Sequence, residues 1–181
     1  MSNAATSSPR WDPAFIADVI KAYDVRGLVD EQITVDFVRA VGQSFSRLMR
    51  SEGALSVVVA HDMRDSGPEL AEAFAEGVTE QGLNVINIGL ASTDEMYCAS
   101  GLLQVPGAMF TASHNPAAYN GIKLCRAGAR PVGQDTGLAT ISQELAEGVP
   151  ESNGAHGHVT NRDMLQDYAC LLYTSDAADD S

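Results

Sequence analysis

The chain has 181 residues, 24 of them acidic against 11 basic, for a formal net charge of −13. That field repels phosphate backbones and anionic lipid surfaces, which argues against nucleic acid or a membrane as partner. A hydrophobic fraction of 45% supplies a core and argues against disorder throughout, and the length suits one domain with the opening of a second.

The first residues carry no basic stretch followed by an apolar one, so no secretory leader is read, and 1–10 are expected to be disordered. Periodicity predicts a helix over 34–52, with Thr34 as N-cap, Val38, Val41, Phe45 and Leu48 on one face, and Gly53 just past the end. The β-branched run at 55–62 reads as a strand buried on both faces, and is too short to span a bilayer. A second helix starts at Pro68, carries Leu70, Phe74 and Val78 as a stripe, and stops at Gly82. A strand at 83–89, a short capped helix at 93–103, a strand at 107–113 and a hairpin-like strand at 121–128 follow. Residues 134–148 predict a helix with Leu138, Ile141 and Leu145 on one side.

Strands alternating with helices predict an α/β fold over 1–150, a three-layer α/β/α sandwich around a mostly parallel mixed sheet. Pro, Gly, Ser and Asn at 149–157 make a linker, and 158–169 read as a strand and helix opening a truncated second domain. From 170 to 181 the helix signal stops and small and acidic residues take over, so a non-native or disordered tail is expected. Cys98, Cys125 and Cys170 form no CxxC pair, which argues against a zinc knuckle or disulfide framework and fits a reduced, cytoplasmic setting.

In parallel α/β sheets ligands gather at the C-terminal ends of strands, and TASHNP at 111–116 sits at such an end. Ser113 is a weak nucleophile that needs a base, a metal or an attached phosphate. Its neighbours suit phosphate: His114 and Lys123 are potential cations, Asn115 can donate, Asn120-Gly121 lets backbone approach, and Pro116 shapes the turn. The competing reading is a plain turn in which Ser113 and Asn115 bond backbone.

In AYDVRG at 22–27, Arg26 could take a phosphate bidentately and Tyr23 could wall a sugar-sized pocket; the alternative is a surface pair of Asp24 with Arg26. In HDMRDSGPEL at 61–70, Ser66 reads as a helix cap, and Asp62 and Arg64 as groups that orient neighbouring loops. His156 and His158 in a Gly-rich stretch read as solvated, and the acidic cluster from Glu144 to Glu151 as an exposed face. No GxGxxG or GxxxxGK[ST] occurs, which disfavours a nucleotide-binding domain.

Together the three stretches resemble the α-D-phosphohexomutases, the phosphoglucomutase and phosphomannomutase group. YDVRG at 23–27 matches that family's YD-[IV]-RG, and 60–66 its G-x-D-x-R-x-S with Ala60 in place of Gly. TASHNP with YNGIK at 119–123 matches its phosphoserine loop and looks more like the bifunctional phosphomannomutase/phosphoglucomutase branch than the phosphoglucosamine branch. The resemblance implies that Ser113 carries a phosphoryl group exchanged with a hexose phosphate through a hexose 1,6-bisphosphate. It also implies Mg²⁺ held partly by the Ser113 phosphate, Arg26 and Lys123 as charge stabilisers, Tyr23, Arg26, Asn115 and Lys123 as substrate contacts, and a support role for Asp62, Arg64, Asn120 and Gly121. The family's DGDGDR metal loop and RxSGTEP-type phosphate loop do not occur in the chain. Domains 2–4 of the parent enzyme are therefore expected to be missing, and the fragment alone inactive. A phosphoglucosamine mutase domain, or a stand-alone non-catalytic domain that binds a sugar phosphate or a partner mutase, are the alternatives.

Overall fold

The structure, a computed structural model, describes residues 10–179. Most of the segment expected to be disordered at the N-terminus, residues 1–9, lies outside the described residues, as do 180 and 181.

Helix α1 (Pro13–Val19) starts where the Asp12 carboxylate accepts the Ala14 and Phe15 amides at 2.8 and 3.2 Å, with Pro13 in the first turn. Its seven residues are too few for periodicity to register, and neither it nor strand β1 (Val25–Leu28) was expected. Helix α2 (Val35–Ser51) is capped as predicted: Thr34 Oγ1 accepts the Phe37 amide at 3.2 Å. Strand β2 (Ser56–His61), helix α3 (Gly67–Glu80), strand β3 (Asn84–Leu90), helix α4 (Thr93–Leu103), and strands β4 (Gly107–Phe110), β5 (Tyr119–Arg126) and β6 (Arg130–Pro131) follow. Helix α5 (Leu138–Glu147), strand β7 (Val159–Asn161) and helix α6 (Leu165–Asp179) complete the described chain.

The sheet order is β1-β5-β4-β2-β3-β7, with β6 on β5. β2 pairs in parallel with β3 and β4 because α3 and α4 carry the chain back between them, and β7, reached after α5, pairs in parallel with β3. β5 runs antiparallel to β4, β1 and β6, since an eight-residue loop rather than a helix joins it to β4. Alternation along β2 builds the layers: Val57 and Val59 face Phe45, Phe74 and Leu138, whereas Val58 and Ala60 face Met96, Ala99 and Met164. The fold is the expected α/β/α arrangement, with α1, α2, α3 and α5 on one face and α4 and α6 on the other.

Four local expectations are corrected. The predicted helix at 134–148 is split: a 3₁₀ turn (Gln134–Thr136) gives way at Gly137, whose φ of 148° interrupts the helical path, to α5. The strand predicted to 113 ends at Phe110, where the backbone leaves the sheet. Backbone helix does not stop at 170 but continues in α6 to Asp179, because Ala, Leu and Asp are all compatible with it when no Gly or Pro intervenes. Glu144 is not part of a solvated face: it accepts Ser44 Oγ at 2.7 Å and Arg47 Nε at 3.1 Å across the α2–α5 contact.

Candidate functional site

The chain leaves β4 at Phe110 and turns through residues 111–118 before β5. The buried Thr111 hydroxyl accepts the Ser113 amide at 3.1 Å, a short side-chain turn that throws Ser113 into the left-handed region at φ 51°. Ser113 and His114 are exposed, and among the described residues His114 makes no hydrogen bond or ion pair.

Arg64 reaches this loop from the turn after β2. Its Nη1 donates to the carbonyls of Pro116 and Tyr119 at 2.8 and 2.9 Å, and its Nη2 to those of Ser113 and Asn115 at 3.1 and 2.7 Å. Asp62 steadies it, with Oδ1 accepting the Arg64 amide at 3.0 Å and Oδ2 lying 3.4 Å from Nε. The guanidinium side chain is only 11% exposed.

A second tie comes from Asn120, which is fully buried. Its Nδ2 donates to Ser66 Oγ at 2.9 Å while its Oδ1 accepts the Gly121 amide at 2.8 Å. Ser66 therefore does not cap α3 with its side chain, as the sequence suggested; the hydroxyl is engaged by β5 instead. Gly121 is required by closeness: a Cβ there would collide with the Val25 carbonyl and sit 3.1 Å from that of Thr111. These contacts enclose a cleft of about 630 Å³, lined by Asp30, Asp62, Arg64, Ser113, Asn115 and Ala118 among others.

A separate cationic cluster lies on the outer strands. Asp24 is buried at the start of β1, accepts Arg26 Nη2 at 2.6 Å and lies 3.6 Å from Lys123 Nζ. The Asp24–Arg26 pair weighed from the sequence thus exists, but with a buried carboxylate shared by a second cation. Register places Arg26 opposite Gly121, whose carbonyl accepts the Thr111 amide at 3.0 Å, so one row across the sheet links Arg26 to the root of the Ser113 loop. Tyr23 is 78% exposed beside this cluster.

The structure thus brings Asp62, Arg64, Asn115, Asn120 and Gly121 together with Ser113. Arg26 and Lys123 gather around Asp24, and neither they nor the exposed Tyr23 line the Ser113 cleft. Sequence reasoning missed Asp24 as the shared anchor, and Thr111 as the group that sets the Ser113 backbone; a Thr two residues before a Ser at a strand end was the available signal. Among the described residues no group of three or more His, Cys, Asp or Glu side chains is placed to hold a metal ion. Asp62, the cleft carboxylate nearest in role, is already committed to Arg64. The described residues therefore do not make a Mg²⁺ cage by themselves.

A family model described as phosphoglucomutase/phosphomannomutase, alpha/beta/alpha domain I, matches residues 17–150. The chain belongs to the phosphoglucomutase/phosphomannomutase family. A phosphomannomutase of Vibrio cholerae is 42% identical over 130 residues, covering 70% of this chain and 28% of the relative. Phosphohexose mutases of Xanthomonas campestris are 42% identical over 135 residues, covering 74% and 28%. A solved phosphoglucomutase/phosphomannomutase family protein from Burkholderia thailandensis superposes with a TM-score of 0.75 at 29% identity, over 87% of this chain and 34% of that one. The chain spans 28% of the length of these curated relatives. Within the phosphoglucomutase/phosphomannomutase family it supplies domain I, and no helix among its described residues is long and apolar enough to cross a membrane.

Proposed function

We propose that this chain is the phosphoryl-carrying domain of a cytoplasmic phosphohexomutase, with residues 1–150 as domain I and 151–169 leading toward the next. The observation that carries the reading is Ser113 itself: an exposed residue past the C-terminal end of a central strand, on a loop that Arg64 holds by three of its carbonyls and by that of Tyr119 where β5 begins. In the proposed reaction the phosphorus–Oγ bond of phosphoserine 113 breaks as a hydroxyl of the hexose phosphate takes the phosphoryl group. The resulting hexose 1,6-bisphosphate reorients and returns its other phosphoryl to Ser113, which exchanges 1- and 6-phosphates. Such transfers depend on position and charge neutralisation more than on covalent assistance.

Arg26 and Lys123 would meet the phosphoryl charge, each releasing part of its hold on Asp24 as it does so. Tyr23 offers an exposed ring for a sugar face, and Asn115 a donor beside Ser113. His114, exposed and without a protein partner among the described residues, would assist proton traffic or shape the loop. A phosphate on Ser113 would be this domain's contribution to a Mg²⁺ site whose carboxylates lie in the rest of a full-length mutase. The 181-residue chain alone is accordingly expected to turn over little or no hexose phosphate.

The test is phosphopeptide mapping of residues 111–118 together with isomerisation rates on mannose, glucose and glucosamine phosphates, in a full-length mutase bearing this domain. Phosphate on Ser113 and loss of turnover by at least about a thousandfold in Ser113→Ala are expected. Full turnover in Ser113→Ala would overturn the reading.

A further inference from the structure

Arg64 has five N–H groups, and four of them are spent on main-chain carbonyls. Those four donate to the carbonyls of Ser113, Asn115, Pro116 and Tyr119, while Nε lies 3.4 Å from Asp62 Oδ2, ion-paired but without a hydrogen bond. The same loop shows the opposite imbalance in its donors. Among the described residues the amides of His114, Ala117 and Ala118 have no acceptor, and Asn115 Nδ2 is buried without one. A buried donor without an acceptor is unfavourable, so the retention of Asn115 Nδ2 at this loop points to a ligand.

The surroundings sharpen the point. Asp30, Asp62 and Asp65 line the cleft beside Ser113, in a chain of net charge −13, so the local field opposes a phosphate. A phosphoryl group at Ser113 has to be met by fixed donors. Of the loop's free amides, those of Ala117 and Ala118 are successive main-chain N–H groups, the kind of donor pair that builds an anion-binding concavity.

We infer that Arg64 is the positioning residue of the Ser113 loop, drawing three loop carbonyls and that of Tyr119 at the start of β5 onto one buried guanidinium so that the loop's free groups are donors suited to an anion at Ser113. The inference rests on the proposed phosphoryl-carrying role of Ser113 and adds what prepares the loop for it. Arg64 acts through the main chain it orders. The planar fork is what the job requires, because a lysine ammonium of equal charge has three diverging donors and cannot serve four carbonyls.

The test is an amide-resolved NMR titration of the 181-residue chain with inorganic phosphate at constant ionic strength. Saturable shifts of the His114, Ala117 and Ala118 amides and of the Asn115 side chain are expected. Arg64→Lys, which keeps the charge, should weaken that response about tenfold while the rest of the spectrum stays in place. Should Arg64→Lys fail to fold, Arg64→Gln, which reaches fewer of the carbonyls, is read the same way. Phosphate that moves none of these groups in the unaltered chain, or a wild-type response in a folded Arg64 variant, overturns the inference. Ser113→Ala separates the two readings: it should retain the phosphate response, whose donors are not the hydroxyl, while abolishing turnover in the full-length mutase.

Discussion

Ser113 is held in a backbone conformation that an L-residue adopts at a cost of about 1 kcal/mol, at φ 51°. Glycine pays no such penalty, so Ser113→Gly and Ser113→Ala, both without the hydroxyl, should differ in stability. Urea denaturation of the 181-residue chain is expected to place Ser113→Gly level with or above Ser113→Ala, by up to about 1 kcal/mol, with both inactive in the full-length enzyme. Higher stability in the alanine variant would mean that the left-handed turn does not persist in solution. Asn120 gives a second residue-scale prediction. It is fully buried and satisfies the Ser66 hydroxyl and the Gly121 amide at once. Asn120→Ala should destabilise the chain by about 1–3 kcal/mol in the same urea measurement, because the Gly121 amide and Ser66 hydroxyl lose their partner. Unchanged stability would show that water replaces it freely.

At the scale of elements, the contact between α2 and α3 depends on two glycines. A Cβ on Gly42 would lie 2.5 Å from the Phe74 carbonyl oxygen, and one on Gly77 would run into the Arg39 carbonyl. Both obstacles are backbone and cannot swing aside, so the helices cross at a separation that no other residue permits. Gly77→Ala should therefore destabilise by about 2–3 kcal/mol, although alanine is the better helix former by about 1 kcal/mol. Circular dichroism during urea unfolding measures it, and stabilisation would show that the crossing relaxes. The crossing also anchors the site: α3 begins at the turn that carries Asp62, Arg64 and Ser66, so a shift of α3 moves the guanidinium under the Ser113 loop.

For the whole molecule, pH acts through carboxylates shared between elements. Burial of Glu80 raises its pKa, but hydrogen bonds from Arg39 and Gln43 outweigh this and hold it below its ordinary 4.5. The Arg126 guanidinium holds Glu52 below its ordinary value in the same way, linking α2 to β5. A carboxylate whose pKa is lower folded than unfolded contributes stability above the unfolded pKa, and that contribution is lost as pH falls through the folded one. Stability should thus be level near neutrality and decline below about pH 4.5. Arg39→Gln combined with Arg126→Gln should flatten that decline when urea midpoints at pH 7 and pH 4 are compared. An acid limb as steep as in the unaltered chain would assign acid sensitivity to other carboxylates.

Much of this architecture was legible in the residues themselves. Thr34 before an apolar 3.6-period stripe dictates a capped helix, and the β-branched run at 56–61 dictates a strand buried on both faces, since local chemistry and periodicity suffice for each. The motifs around Arg26, Arg64 and Ser113 likewise carry the likeness to a phosphohexomutase domain in the sequence itself. Short elements were not legible: α1 and β1 have seven and four residues, and β1 exists because β5 offers it an edge to pair with. Nor could spacing show that Ser66, read as a helix cap, answers to Asn120 on a strand 54 positions away. Only tertiary structure could decide that Arg64 gives its donors to the Ser113 loop and that Arg26 and Lys123 share Asp24. Each depends on chain segments that meet only when the sheet assembles, and no local preference encodes the meeting.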